Sequence, residues 1–175
     1  MRTKIDFKLR GDLILVLADE LDRCEGFGDI FEVVKKSVYQ TIGRHRAGLT
    51  LYLAELPANV GAFHQVGSNS IVMNKALLEV VERSSRTRRE KNAFVYSILL
   101  HEYLHSLGYF DEAKARQIAL HVAKESFGEG HVSTKLCSPR GPLAFFPEVL
   151  GARSRFTGEF EVVKDFDRTP NSYLA

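Results

Sequence analysis

Residues 97–111 are Ser-Ile-Leu-Leu-His-Glu-Tyr-Leu-His-Ser-Leu-Gly-Tyr-Phe-Asp, and this stretch predicts both a buried helix and a metal site. His101 and His105 are four residues apart, so on a helix they lie on one face and can bind one metal ion together. Glu102 is rotated by about 100° from His101 around such a helix. The spacing therefore predicts a zinc ion held by His101 and His105, with the Glu102 carboxylate beside it.

Neighbouring residues strengthen this interpretation. The residues before His101 are mostly apolar, which predicts a helix that carries both histidines into the interior. Glu102 could then act as general base on a zinc-bound water. Gly108 marks a sharp turn three residues past His105, and Asp111 follows after three more residues. Because this turn needs the least chain, Asp111 is the first expectation for a third zinc ligand, although it also suits the N-cap of the next helix.

Several alternatives for the rest of the site stay open. Other candidates for the third ligand follow His105 along the chain: Glu112, His121, Glu125 and His131. Cys137 could add a fourth, inhibitory ligand, but a lone cysteine is more often a small buried apolar side chain. Tyr109 could donate to a tetrahedral intermediate or simply pack at the helix end. His64 could line the same cleft or be an ordinary loop histidine.

Composition narrows the class of protein. A chain of 175 residues with 45% hydrophobic and 26% charged residues is typical of one globular domain. The 24 basic and 22 acidic residues leave a net charge of +2, without the basic excess of a general nucleic-acid binder. Two cysteines are too few for a disulfide framework or a four-thiolate zinc site. Nothing in this composition therefore calls for a nucleic-acid partner.

The N-terminal residues predict neither a leader peptide nor a membrane span. The first apolar run covers residues 13–18 and is bounded by Asp12 and Asp19. A spanning helix needs roughly 20 apolar residues, and a leader needs a longer apolar region than this one. We accordingly expect a cytoplasmic protein that does not use a membrane.

Hydrophobic periodicity predicts the other elements, because apolar residues alternate in strands and recur at three and four residues in helices. The predicted strands are residues 4–9, 13–18, 49–54, 70–74 and 160–163, with a turn at 10–12. The predicted helices are residues 27–42, ended by Gly43, and residues 75–82, 92–107 and 111–127. The polar run 83–91 holds four arginines and a lysine without an aromatic residue, so we interpret it as a solvated loop rather than an RNA-binding patch.

The domain organisation follows from these elements. Residues 1–150 are predicted to form one domain, and residues 151–175 a C-terminal tail. Residues 141–147, Gly-Pro-Leu-Ala-Phe-Phe-Pro, are too apolar for a free linker. We expect this segment to pack on the domain, with occlusion of the cleft as the alternative.

The residues His101-Glu102-x-x-His105 resemble the zinc-binding signature of the zincin metallopeptidases, and the resemblance covers roughly residues 45–127. It implies an α+β fold with a small mixed sheet, an active-site helix and a second, C-terminal helix. Residues 70–74 look like the edge strand that lies beside the zincin cleft and pairs with extended substrate. The implied function is hydrolysis of peptide bonds with one Zn²⁺ per chain.

The third ligand separates the branches of that family. Aspartate at position 111 resembles the metzincins, but these also carry a methionine turn after the motif, whereas Met1 and Met73 both precede it. The gluzincin pattern takes a glutamate from the following helix, for which Glu112 and Glu125 are candidates. The chain most resembles small single-domain archaeal metallopeptidases of the minigluzincin type.

Two further interpretations stay open. The stretch from His101 to Tyr109 also resembles bacterial nucleases of ribosomal-RNA maturation, which use three histidines at steps of four and six residues. Asp111 occupies the third of those positions and Glu102 replaces a small residue, and both departures favour the peptidase. The other interpretation is a latent or structural zinc-binding domain, in which a fourth protein ligand such as Cys137 closes the site.

Overall fold

The computed structural model describes residues 4–169, which form an α+β fold with a small mixed sheet. The helices are α1 (Lys4–Arg23), α2 (Phe27–Ile42), α3 (Lys75–Ser84), α4 (Arg88–Ser106), α5 (Glu112–Phe127), α6 (Val132–Leu136) and α7 (Gly141–Phe145), followed by a 3-10 helix at Pro147–Gly151. The strands are β1 (Thr50–Ala54), β2 (Ala62–His64), β3 (Ser70–Asn74) and β4 (Phe160–Val162). Across residues 4–169 no helix combines the length and the apolar character that crossing a membrane requires.

The sheet has the strand order β2-β3-β1-β4, with β1 and β3 parallel and the outer two pairs antiparallel. The prediction that residues 70–74 form the edge strand is therefore wrong, because β3 lies inside the sheet and β2 forms that edge. All of β3 except its first residue is buried, as expected for a strand with neighbours on both sides. Three-residue β2 falls in a predicted loop, since it is too short to show a hydrophobic period.

The N-terminal prediction is also wrong, because residues 4–9 and 13–18 are one continuous helix, α1, without a turn at 10–12. Leu17 and Leu21 lie four residues apart on this helix and are buried against the core, at 3% and 0% exposure. Leu15 and Val16 are largely exposed. They fill the gaps between the buried positions, so that the sequence shows an uninterrupted apolar run like that of a strand. Packing of one helical face on α4 and α5 thus outweighs the local pattern.

Other elements confirm their predictions. Helix α2 spans residues 27–42 as predicted and ends at Gly43, whose φ of 67° is the left-handed conformation that glycine favours. Strands β1, β3 and β4 and helices α3 and α5 lie where the periodicity placed them. Helix α4 begins at Arg88, before residue 92, because Thr87 accepts a hydrogen bond from the Glu90 backbone and caps it.

Helix α4 is the centre of the fold. Its middle is apolar on nearly every side, and a helix of that kind must be covered all round. Helices α1, α2, α5 and α6 and strand β2 all pack against it. Its fully buried side chains include Tyr96, Leu99, Leu100, Tyr103 and Leu104. This packing fixes the C-terminal end of α4, which carries the two motif histidines.

The C-terminal segments pack on the same body. Phe146 is 1% exposed, and its ring lies edge-to-face on Phe94 of α4 with centroids 5.4 Å apart. Strand β4 pairs with β1, so residues of the predicted tail extend the sheet. The expectation that residues 141–147 pack on the domain is confirmed for Phe146.

A buried ion pair holds the end of the described chain to α2. Asp167 Oδ1 lies 2.7 Å from Lys35 Nζ, and the two side chains are only 3% and 5% exposed. The other oxygen, Oδ2, accepts hydrogen bonds from the backbone N–H groups of Gly48 and Leu49. Burial acts to raise the pKa of Asp167, but the hydrogen bonds from Lys35, Thr169 and Leu49 outweigh it and hold the pKa below 3.8.

Replacing this carboxylate by an amide, Asp167→Asn, is expected to lower the free energy of unfolding by about 2 kcal/mol at pH 7, because the buried lysine loses one charged partner and retains its ion pair with Glu32. A lowered native pKa means that this contribution is complete above the ordinary aspartate pKa and disappears as the pH falls through the lowered value. Urea titrations of both proteins at pH 7 and pH 3 measure the difference in the free energy of unfolding. A difference of equal size at both pH values would show that the Asp167 charge does not stabilise the fold.

Candidate metal centre

Three potential ligand atoms converge at the C-terminal end of α4. His101 Nε2 and His105 Nε2 are 3.0 Å apart, one helical turn along the same face. Glu112, in the first turn of α5, places Oε1 3.0 Å from His105 Nε2 and Oε2 3.2 Å from His101 Nε2. Among the side chains that the structure describes, this is the one group of three or more His, Cys, Asp or Glu ligands that could hold a metal ion.

The hydrogen bond behind His105 fixes which ring nitrogen carries the proton when the ring is neutral. Its Nδ1 lies 2.8 Å from the backbone carbonyl of Tyr109, which can only accept, so Nδ1 must carry the proton. In the neutral ring Nε2 then presents a lone pair, and it faces the carboxylate of Glu112, which also only accepts. A metal ion between these atoms would resolve the conflict, as would a second ring proton, and the carbonyl behind the ring is the kind of group that orients metal-bound histidines.

The spacing of these atoms suits a small divalent cation. In a tetrahedral zinc site with bonds of about 2.1 Å, ligand atoms are separated by roughly 3.4 Å. His101 Nε2 and His105 Nε2 are 3.0 Å apart, and each lies 3.0–3.2 Å from a different oxygen of the Glu112 carboxylate, so a slight expansion would admit a cation among them. Burial, followed by the neighbouring His105, lowers the pKa of His101 and favours the neutral ring that binds metal. Two imidazoles and one carboxylate are also a donor set that zinc accepts.

Glu102 stands beside this group without belonging to it. Its side chain is buried, and its carboxylate accepts a hydrogen bond from the backbone N–H of His64 on the edge strand β2. Its Oε2 is buried and has no hydrogen-bond partner among the described residues. Burial raises the pKa of Glu102 to about 7, although the nearby His105 acts to lower it. An unsatisfied carboxylate oxygen of this kind is suited to accept a proton from a bound water.

A short turn brings α5 back to the end of α4. Gly108 adopts a φ of 97°, a conformation that favours glycine, and the chain reverses there. The backbone N–H of Tyr109 donates to the carbonyl of Leu104, which closes the turn. Arg46 donates from its guanidinium to the Ser106 carbonyl and ties the same helix end to the loop before β1. These contacts therefore place Glu112 next to His101 and His105.

His101, Glu102 and Glu112 line a cleft of about 520 Å³. Residues 59–62, which lead into β2, form one wall, and Arg116 of α5 lies on another side together with Glu112. Cys137 and Pro142 belong to the wall that the C-terminal segments provide. Residues 141–147 thus border the cleft through Pro142, and Phe146 packs on α4 instead of entering it.

The structure does not bring Asp111 into the group. Its Oδ1 accepts a hydrogen bond of 2.7 Å from the backbone N–H of Lys114, so Asp111 is the N-cap of α5. The first residue inside the helix, Glu112, takes the place in which Asp111 was expected, and it was among the alternatives. The signal was present in the sequence, because a side chain that caps its own helix has its carboxylate turned to that helix.

The other candidate ligands lie outside the group. His121 is exposed on α5, and Glu125 is not a member of the group. His131 accepts a hydrogen bond from the Ser133 backbone at the start of α6 and stacks on Phe127. Cys137 lines the cleft, yet its thiol is not among the converging ligand atoms, and burial raises its pKa to about 12.

Two residues take part in an unexpected way, through their backbone. Tyr109 was considered for its phenol, but its carbonyl is the group that orients His105. His64 was considered for its ring, whose Nδ1 lies 3.0 Å from the Ser70 carbonyl, but its N–H is the group that holds Glu102. Backbone contacts of this kind depend on how β2 lies against α4, and a sequence pattern carries no sign of them.

Comparisons with known proteins add no relative. A scan against protein-family models finds no match to this chain, and searches of curated proteins and of solved structures find none either.

Proposed function

We propose that this protein is a zinc-dependent metallopeptidase in which His101, His105 and Glu112 hold the metal and Glu102 is the general base. The observation that carries the proposal is the meeting of two imidazole Nε2 atoms and one carboxylate beside a second, buried carboxylate with a free oxygen. This is the arrangement that the zincin signature implies, with the third ligand supplied by the following helix. The minigluzincin resemblance fits a glutamate in that position.

The residues of the chain have separate tasks in this mechanism. Zinc, when bound, supplies a Lewis acid and a water of lowered pKa. Glu102 would accept a proton at its free Oε2 and return it to the leaving amine. The His64 N–H keeps the carboxylate aimed, and the Tyr109 carbonyl keeps His105 in the tautomer that ligates.

The shape of the cleft supports an extended peptide as substrate. Strand β2 borders the cleft through Ala62 and pairs with β3 alone within the described part of the chain. Its outer edge can therefore add a further strand by backbone hydrogen bonding, which is how extended peptides bind to sheet edges. The role expected for residues 70–74 passes to β2, because that strand is the one at the edge.

The distribution of charge argues against RNA as the substrate. Among the described residues that line the cleft, Arg116 is the one arginine or lysine. The basic run at residues 83–91 lies at the other end of α4, about 20 Å from His101 along the helix axis. Two of its members are paired with carboxylates, Arg89 with Asp22 and Lys91 with Glu82. A nuclease would place such charges beside its metal.

A closed structural site is also less well supported, because such a zinc site has four protein ligands. The group contains three ligands within residues 4–169, and Cys137 is outside it. The cleft beside His101 and Glu112 leaves room for water or substrate next to the group. This open side supports catalysis over a purely structural role.

The test is cleavage of a quenched-fluorescence peptide library by the zinc-loaded protein, with structured RNA assayed in parallel. We expect peptide cleavage that a chelator abolishes and that added zinc restores. Cleavage of RNA without cleavage of peptides would overturn the proposal in favour of the nuclease, and zinc binding without either activity would leave a binding domain.

The identity of the third ligand gives a prediction of its own. Replacing the ligand by an isosteric amide, Glu112→Gln, is expected to weaken zinc affinity more than about 100-fold, since a charged ligand is lost. The adjacent change Asp111→Asn keeps a side-chain oxygen for the helix cap and should leave the affinity within about threefold. Competition with a chromophoric chelator measures both values. The reverse order of the two variants would return the ligand role to Asp111.

A further inference from the structure

We propose that Arg116 is a specificity-determining residue that binds a carboxylate of the substrate next to the metal. The inference rests on the proposed function and adds the substrate class, which is a peptide with a carboxylate close to the cleaved bond. Two sources share this chemistry: the C-terminal carboxylate of a short peptide and the side chain of an aspartate or glutamate.

The position of Arg116 places its charge at the reacting end of the cleft. Arg116 follows Glu112 by one turn of α5, and residues four apart share a helical face. Its guanidinium nitrogen lies 3.5 Å from Glu112 Oε2, and the same oxygen lies 3.2 Å from His101 Nε2. A group held by Arg116 is thus only a residue or two from the metal, given a rise of about 3.3 Å per residue in an extended peptide.

Most of the hydrogen-bonding capacity of this guanidinium faces open space. The side chain is 67% exposed, and its separation from Glu112 exceeds a normal hydrogen bond. A guanidinium has five N–H donors in a planar fork, of which an opposing carboxylate engages two in parallel. Glu112 also faces both histidines, so its charge is shared with the metal site. Arg116 is therefore free to accept a second anion from the cleft side.

The charges around the cleft favour an anionic ligand. The charged lining residues other than histidine are Glu102, Glu112 and Arg116. With a divalent cation bound, the positive charge of the metal and Arg116 exceeds the negative charge of the two carboxylates. An anion bound there would also find apolar surface, since Ala119 and Leu136 lie on the same lining. A peptide carboxylate meets both conditions.

Binding to an inactive form tests the proposal without turnover. The zinc-loaded Glu102→Gln protein is titrated with fluorescein-labelled peptides in four forms, which combine a free or amidated C-terminus with glutamate or glutamine near the cleaved bond. Adding Arg116→Met is expected to weaken binding of the recognised acidic form about tenfold or more and to leave its neutral counterpart unchanged. The form that responds identifies the source of the carboxylate.

Two controls separate this role from simpler ones. Lys114→Met removes one positive charge from an exposed position of the same helix, outside the cleft lining, and should change no affinity. Arg116→Lys should retain part of the preference for the acidic peptide, because lysine keeps the positive charge but lacks the planar fork of N–H donors. Zinc affinity measured by chelator competition should be no weaker after Arg116→Met is added than before it.

Particular results would overturn the inference. Equal weakening of acidic and neutral peptides, or a loss of zinc affinity in Arg116→Met, would show that the arginine only positions Glu112. The failure of the proposed function looks different, because the unsubstituted protein would then cleave no peptide although it retains zinc. If the unsubstituted protein cleaves peptides without any preference for a carboxylate, the proposed function holds and the role of Arg116 is excluded.

Discussion

Replacing His105 by alanine is expected to abolish stoichiometric metal binding, so that the parent protein carries about one zinc ion per chain and the variant essentially none. His105 Nε2 contacts both other ligand atoms, at 3.0 Å each, and lies at the centre of the group. Its removal leaves one imidazole and one exposed carboxylate, which cannot complete the three protein ligands of a catalytic zinc site. Metal analysis by mass spectrometry after equilibration with zinc and desalting measures the stoichiometry.

His121→Ala is the matched control for this experiment. It removes the same side chain from an exposed position on α5, outside the ligand group, and should retain the full zinc content. Far-ultraviolet circular dichroism checks that both variants are folded. If His105→Ala binds as much zinc as the control, or if the parent takes up none at neutral pH, the site is not a metal centre and its histidines are core residues.

The second large effect is expected from Glu102→Gln, which should lower kcat about 1,000-fold and leave the zinc content unchanged. The amide has the same shape and can still accept the His64 N–H, so the side chain stays in place. It cannot take a proton from water, which is the step assigned to the free Oε2. Steady-state kinetics on the cleaved peptide, with parallel zinc analysis, separates these two properties.

Glu129→Gln serves as the control, because this exposed residue forms a surface ion pair with Lys124 and lies outside the lining of the cleft. Its kinetics should match those of the parent within about twofold, as expected for a surface change. Loss of zinc in Glu102→Gln would identify Glu102 as a ligand instead of a base. Full activity with zinc bound would assign the proton transfer to another group.

Much of the fold could be predicted from local pattern. The apolar period of residues 27–42 and the glycine that follows predict α2 and its end, because burial of one face and a left-handed cap are local requirements. The N-terminal helix α1 could not be predicted from its apolar pattern, because Leu15 and Val16 stay exposed. Only contact with α4 and α5 decides which leucines are buried. Strand β2 is too short to carry a pattern, and only its place beside β3 reveals it.

The sequence by itself determined the core of the site. His101 and His105 share a face because the helical period is 3.6 residues, and any helix through this apolar stretch places Glu102 beside them. The tertiary structure decided which further groups complete the site. The turn at Gly108 and the use of Asp111 as a cap select Glu112 as the third group, and the packing of β2 on α4 aims the His64 N–H at Glu102. These outcomes depend on contacts between elements, for which helical and strand periods carry no information.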